Sequence, residues 1–82
     1  MTIHVKQFHN KNQFVINDDN KKIFQSYDSV IAVIENGKVT LDANTWDYSK
    51  TTGKHRNLFL SESKKDTEKK IKSGEYILAN LN

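Results

Sequence analysis

The sequence predicts an α+β domain: a small antiparallel β-sheet of three to five strands, then one or two short helices and a short C-terminal strand. Three observations carry this. Short runs of Ile, Val and Phe alternate with polar breaks through the first half, and an Asn-Gly pair at 36–37 sits between two alternating runs. After Ala43 the alternation gives way to helix-start and helix-stop residues. Strands followed by helices is the order of segregated α+β folds. The 82 residues suit one domain over 1–82, with a single core that buries roughly 60–65% of the unfolded surface.

Residues 3–8 and 13–17 read as strands. The polar cluster Asn17-Asp18-Asp19-Asn20-Lys21 then separates 13–17 from a strand at 22–27, because Asn and Asp tolerate turn dihedrals. A calcium loop is excluded there, since the alternating acidic ligands, central Gly and closing Glu are missing. Asn36-Gly37 joins strands 30–35 and 38–43. A two-residue Asn-Gly loop favours a type I′ turn and fixes the register. That register pairs Glu35 with Lys38, Ile34 with Val39, Val33 with Thr40 and Ala32 with Leu41. Extended further, it pairs Ile31 with Asp42 on a mixed, half-covered face and Val30 with Ala43 on the apolar one.

Residues 44–49 have no clean period and read as a loop anchored by Trp46 and Tyr48. Thr51 or Thr52 caps a helix over 53–60. Ser63 with Asp66 resembles a capping box and starts a second helix over 64–72, which Gly74 stops in the left-handed position. Residues 76–78 read as a last short strand or extended segment.

Composition removes several classes of function. There is no cysteine, so disulfides, thiolate metal sites and cysteine nucleophiles are excluded. No apolar run approaches the roughly 20 residues that span a bilayer, and the opening residues lack a secretion-signal pattern. The expectation is a cytoplasmic protein with no membrane partner. The net charge of +3 permits nucleic-acid binding without requiring it. Twelve of the thirteen cations are lysine, which acts as a point charge, so little sequence-specific readout is expected. Abundant Lys, Asn and Ile also fit a low-GC genome.

The densest polar constellation runs from Trp46 to Asn57. Around an expected helix start it gathers Lys50, Thr51, Thr52, Lys54, His55, Arg56 and Asn57, with Trp46 and Tyr48 beside them. Free N–H groups and the partial positive charge of a helix start favour an anion such as phosphate. Gly53-Lys54 is not a Walker A loop, because Tyr48 and His55 stand where its first Gly and its Ser/Thr belong. From 50 to 72, eight cations face three carboxylates, a balance suited to weak, salt-sensitive binding. Trp46 or Tyr48 beside that stretch would stack on unpaired bases. His4 and His9 fall on opposite faces of the first strand and His55 lies far away, so no metal site is expected. Asp47 with His55 can be drawn as an acid–base pair, but nothing in the spacing demands it. No enzyme and no cofactor are expected.

The segment Tyr48-Ser49-Lys50-Thr51-Thr52, with Lys54, His55 and Phe59-Leu60 following, resembles a family of small uncharacterised proteins of phages and integrative elements of low-GC Gram-positive bacteria. Phe24-Gln25-Ser26-Tyr27 and the stretch 68–76 are similar to it as well. The resemblance covers 23–82 and implies an origin in a phage or mobile element, inside a bacterial host, without supplying a mechanism. The expected function is a non-enzymatic accessory protein that binds nucleic acid through Lys50, Thr51, Thr52, Lys54, His55, Arg56 and Asn57. One alternative is an inhibitor of a host factor, for example a defence nuclease, with Trp46, Tyr48 or Tyr76 as the hot spot. Another is a small structural module of a larger assembly.

Overall fold

The computed structural model describes the backbone of 4–7 and all of 12–82. Ile3, Phe8 and His9 of the expected first strand and histidine set lie outside the described residues, as does the side chain of His4. In chain order the described elements are β1 (His4–Gln7), β2 (Gln13–Asp18), β3 (Lys21–Ser26), β4 (Ser29–Glu35), β5 (Lys38–Asp42), α1 (Lys50–Leu60), α2 (Lys64–Ser73) and β6 (Tyr76–Ala79). The fold is the expected α+β class. β1 to β5 form an antiparallel meander in sequence order, and β6 joins β5 at the far edge.

β6 runs parallel to β5, so the sheet is mixed rather than wholly antiparallel. The reason lies between them. Parallel neighbours need a long crossover, and α1 and α2 supply it.

The Asn36-Gly37 hairpin has the expected geometry. Asn36 sits at φ 52° and Gly37 at φ 77°, and the four pairs from Glu35↔Lys38 to Ala32↔Leu41 form in the expected register. Gly37→Val should therefore cost about 1–3 kcal/mol through strain at positive φ. A Cβ at Gly37 meets nothing within 4 Å, so dihedral strain and not a clash sets that cost. A thermal melt equal to wild type would remove this account of the turn.

Two expectations about the sheet change. The third strand stops at Ser26, because Tyr27 adopts φ 54° and turns the chain into β4. The Tyr27 N–H donates to the Asn12 carbonyl at 2.8 Å, which holds that turn. A bulge in β4 opposite Phe24 and Gln25 leaves Ile31 without a pairing partner. An extra residue rotates the strand locally, and Ile31 and Ala32 are both fully buried in one cluster with Phe24, Leu41 and Tyr76. Ile31 thus belongs to the core and not to a half-covered face.

Both helices pack on the Phe24–Leu41 side. Phe59 and Leu60 from α1 and Ile71 from α2 lie against the cluster, with Trp46 and Val39, and the Phe24 and Phe59 rings stack at 5.7 Å. α2 is mostly solvated and is anchored through Glu62. That carboxylate accepts hydrogen bonds from Lys70 Nζ (2.7 Å), Thr67 Oγ1 (2.6 Å) and Tyr76 OH (2.7 Å). Burial pushes the Glu62 carboxyl up, but these donors outweigh it and hold it below its ordinary value. No described helix is long and apolar enough to cross a membrane.

Asp42 ends β5 as a second polar hub. One oxygen accepts from the N–H of Thr45 (2.9 Å), the hydroxyl of Thr45 (2.7 Å) and the N–H of Asn44 (3.2 Å). The other accepts from Leu81 N–H at 2.8 Å. The Asn82 side chain pairs with the backbone of Val30, accepting at 2.8 Å and donating at 3.0 Å as a strand residue would.

Candidate functional site

Helix α1 begins earlier than its threonines suggest. Its N-cap is Ser49, which is extended at φ −151° and accepts from Thr52 N–H at 3.1 Å. Neither Thr51 nor Thr52 caps, and Lys50 is already helical. Starting the helix three residues earlier than expected sets its phase.

That phase divides the expected site residues. Thr52, His55 and Arg56 point inward and are buried, at the i, i+3, i+4 spacing of one helix face. Thr52 Oγ1 is 2.9 Å from Ser26 Oγ on β3. His55 Nδ1 donates to the Thr51 carbonyl at 2.8 Å, since a carbonyl only accepts. Lys50, Thr51 and Lys54 point outward and are exposed, while Asn57 is half-buried.

Arg56 is the largest correction. It is 1% exposed, so it is not a surface cation reaching for phosphates. Its Nη1 donates to the Trp46 carbonyl (2.7 Å) and to Asp47 Oδ1 (3.1 Å), and its Nη2 donates to Asn57 Oδ1 (2.9 Å). The guanidinium also lies 5.2 Å from the centre of the Trp46 ring, a cation–π arrangement. Lys64 Nζ meets the other Asp47 oxygen at 2.7 Å, so Asp47 joins α1 to the start of α2. Burial raises the Asp47 carboxyl, yet hydrogen bonds from Lys64 and Arg56 bring it below its ordinary value.

The same packing removes two of the expected aromatic contacts. Trp46 is half-buried under Arg56 and against the core. Tyr76 is core, with its hydroxyl spent on Glu62. Tyr48 alone of the three is a surface aromatic, at 50% exposure.

A cleft of about 940 Å³ opens along the outer face of α1. Lys50, Lys54, Asn57, Leu58 and Ser61 form one wall, while Asp47, Tyr48 and Lys64 stand on the other side. Leu58 and Ser61 are not expected as site residues from the sequence, and Lys64 is expected there only as part of a solvated helix face within the basic stretch 50–72. The signal for the first two was the i, i+4, i+7, i+8, i+11 stripe beginning at Lys50, visible once Ser49 is taken as the cap. Lys64 and Arg56 share Asp47, whereas Lys50 and Lys54 make no ion pair among the described residues. The cleft therefore carries two uncompensated cations between an exposed phenol and an exposed Leu58. Among the described residues no three His, Asp or Glu side chains converge as metal ligands.

A family of unknown function (DUF8033) matches residues 1–75. The match includes the first twenty residues, which the resemblance around Tyr48 did not reach. No curated protein and no solved structure matches the chain.

Proposed function

The chain belongs to that family of unknown function, and from its own residues we propose that it is a non-enzymatic nucleic-acid-binding accessory protein of a phage or mobile element. The observation that carries this reading is the α1 cleft, where unpaired Lys50 and Lys54 flank the exposed ring of Tyr48. Lysines that track phosphates beside an aromatic that stacks on a base are the elements of single-strand binding. Without a surface arginine in the cleft, the binding is electrostatic and largely blind to sequence. The contacts are Lys50, Lys54, Thr51, Asn57 and Tyr48. Thr52, His55 and Arg56 hold the scaffold behind them. The resemblance of 48–60 to phage and mobile-element proteins supports the stated origin.

The test is a salt series with single- and double-stranded DNA and RNA. Replacing Lys50 and Lys54 together with Gln should weaken binding and flatten the salt slope by about 1.5–2 units. Tyr48→Ala should weaken single-strand binding by about 1–3 kcal/mol while leaving that slope nearly unchanged. Lys65→Gln with Lys69→Gln, on the exposed face of α2, is the control. Wild type that binds nothing at low salt, or a Lys50/Lys54 variant equal to wild type, would overturn the reading. A stoichiometric host protein captured despite nuclease treatment would favour the inhibitor reading instead, with Tyr48 and Leu58 as the exposed anchors.

A further inference from the structure

The sheet face opposite the helices carries a self-complementary pattern. Ladder partners share a face, so the register places Ile16, Ile23, Val33, Thr40 and Ile77 in one row across five strands. No described helix covers this row. A solvated antiparallel face normally alternates to polar residues, yet four of these five are β-branched aliphatics. Two residues along each strand, on the same face, lies a second row: Asp18, Lys21, Glu35, Lys38. Its signs alternate. Among the described residues none of these four charges closes an ion pair, the described pairs all lying on the helix side.

We propose that this open face is a homodimer interface in which two sheets pack face to face about a twofold axis running along the strands between β3 and β4. That operation reverses each row. Lys21 of one copy then faces Glu35 of the other, and Asp18 faces Lys38, so every charge in the row meets its opposite. In the apolar row Ile23 meets Val33, and Ile16 meets Thr40. A twofold interface must be complementary to itself, and an alternating row of four charges meets that condition under this axis. The aliphatic row forms the dry centre and the charged row the polar rim. Six strands about 4.8 Å apart, with about five residues each at about 3.3 Å rise, give a face near 29 by 17 Å. That is at the small end of specific interfaces, so the dimer is reversible and concentration-dependent.

The experiment is sedimentation across a concentration series, with circular dichroism as the check on folding. Wild type should pass from monomer to dimer. Lys21→Glu and Glu35→Lys should each raise the dissociation constant about tenfold or more, because each sets like charges face to face twice per dimer. An equimolar mixture of the two variants should recover a dimer, since Glu at 21 and 35 in one chain then faces Lys at both positions in the other. A role confined to the monomer fold gives no such recovery. Wild type that stays monomeric throughout overturns the proposal without any variant. So does a wild-type dimer that neither substitution weakens, or a mixture of folded variants that remains monomeric.

Discussion

Asp42→Ala should lower stability by about 3–4 kcal/mol, because its carboxylate is buried and four donors lose their acceptor. Of these, the Thr45 hydroxyl keeps the Val30 carbonyl and the Thr45 N–H keeps the carbonyl of residue 42. The N–H groups of Asn44, Thr45 and Leu81 and the Thr45 hydroxyl all converge on it. For a domain of this size that corresponds to a fall in Tm of about 15–25 °C. A pH series separates the charge from the shape. Burial pushes the Asp42 carboxyl up, but the Leu81 and Thr45 hydrogen bonds outweigh it, and its value in the fold lies below the ordinary one. Asp47 and Glu62 are shifted the same way. A depressed carboxyl stabilises the fold above the ordinary carboxylate range, and the contribution is lost as pH falls through the folded value. Wild type should therefore lose stability on acidification below about pH 4. Asp42→Asn should show a shallower acid dependence, having one such group fewer. Equal slopes for the two proteins would contradict the assignment.

Arg56→Met should cost about 3 kcal/mol, read as a urea midpoint shift with the fluorescence of Trp46 as the probe. The substitution strips the Trp46 carbonyl, the partly exposed Asp47 and the half-buried Asn57 of a donor. Asp47 keeps Lys64, which places the loss at the lower end for a broken buried pair. Trp46 is the single tryptophan and lies under the guanidinium, so its native emission should shift as well. Lys50→Gln, two turns away and exposed, should change stability by no more than about 0.5 kcal/mol. A stability change below about 1 kcal/mol for Arg56→Met would mean that the arginine is a surface cation after all.

The contrast between these two cations shows where sequence was informative. Asn36-Gly37, Ser63 and Gly74 were legible because each answers a local backbone demand: positive φ at a two-residue turn, a free N–H at a helix start, a left-handed stop. The phase of α1 was not legible. Its inward face is Thr52, His55 and Arg56, with Phe59 beyond, so polarity along the helix gives no guide to which side is wet. Two adjacent threonines also drew the cap away from Ser49. Polar residues assigned to a surface site by composition turned out to satisfy one another inside. Asp42 could have been found, since Asp three residues before Thr45 fits an Asx-type turn. The bulge at Ile31 and the direction of β6 depend on distant packing and left no local mark.

The arrangement of β6 has a consequence for how the chain is assembled in time. Every strand pairing in the β1–β5 meander joins neighbours in sequence, so those hairpins can zip one after another as the polypeptide emerges. The parallel pairing of β5 with β6 must wait for both helices, and the latches from Leu81 to Asp42 and from Asn82 to Val30 wait longer still. Non-local pairing of this kind carries the larger loop-closure entropy and comes late. Until it closes, β5 has a bare edge and the core lacks Tyr76. The interval before β6, Leu81 and Asn82 dock is thus the period in which a newly made chain is most open to pairing with the wrong strand.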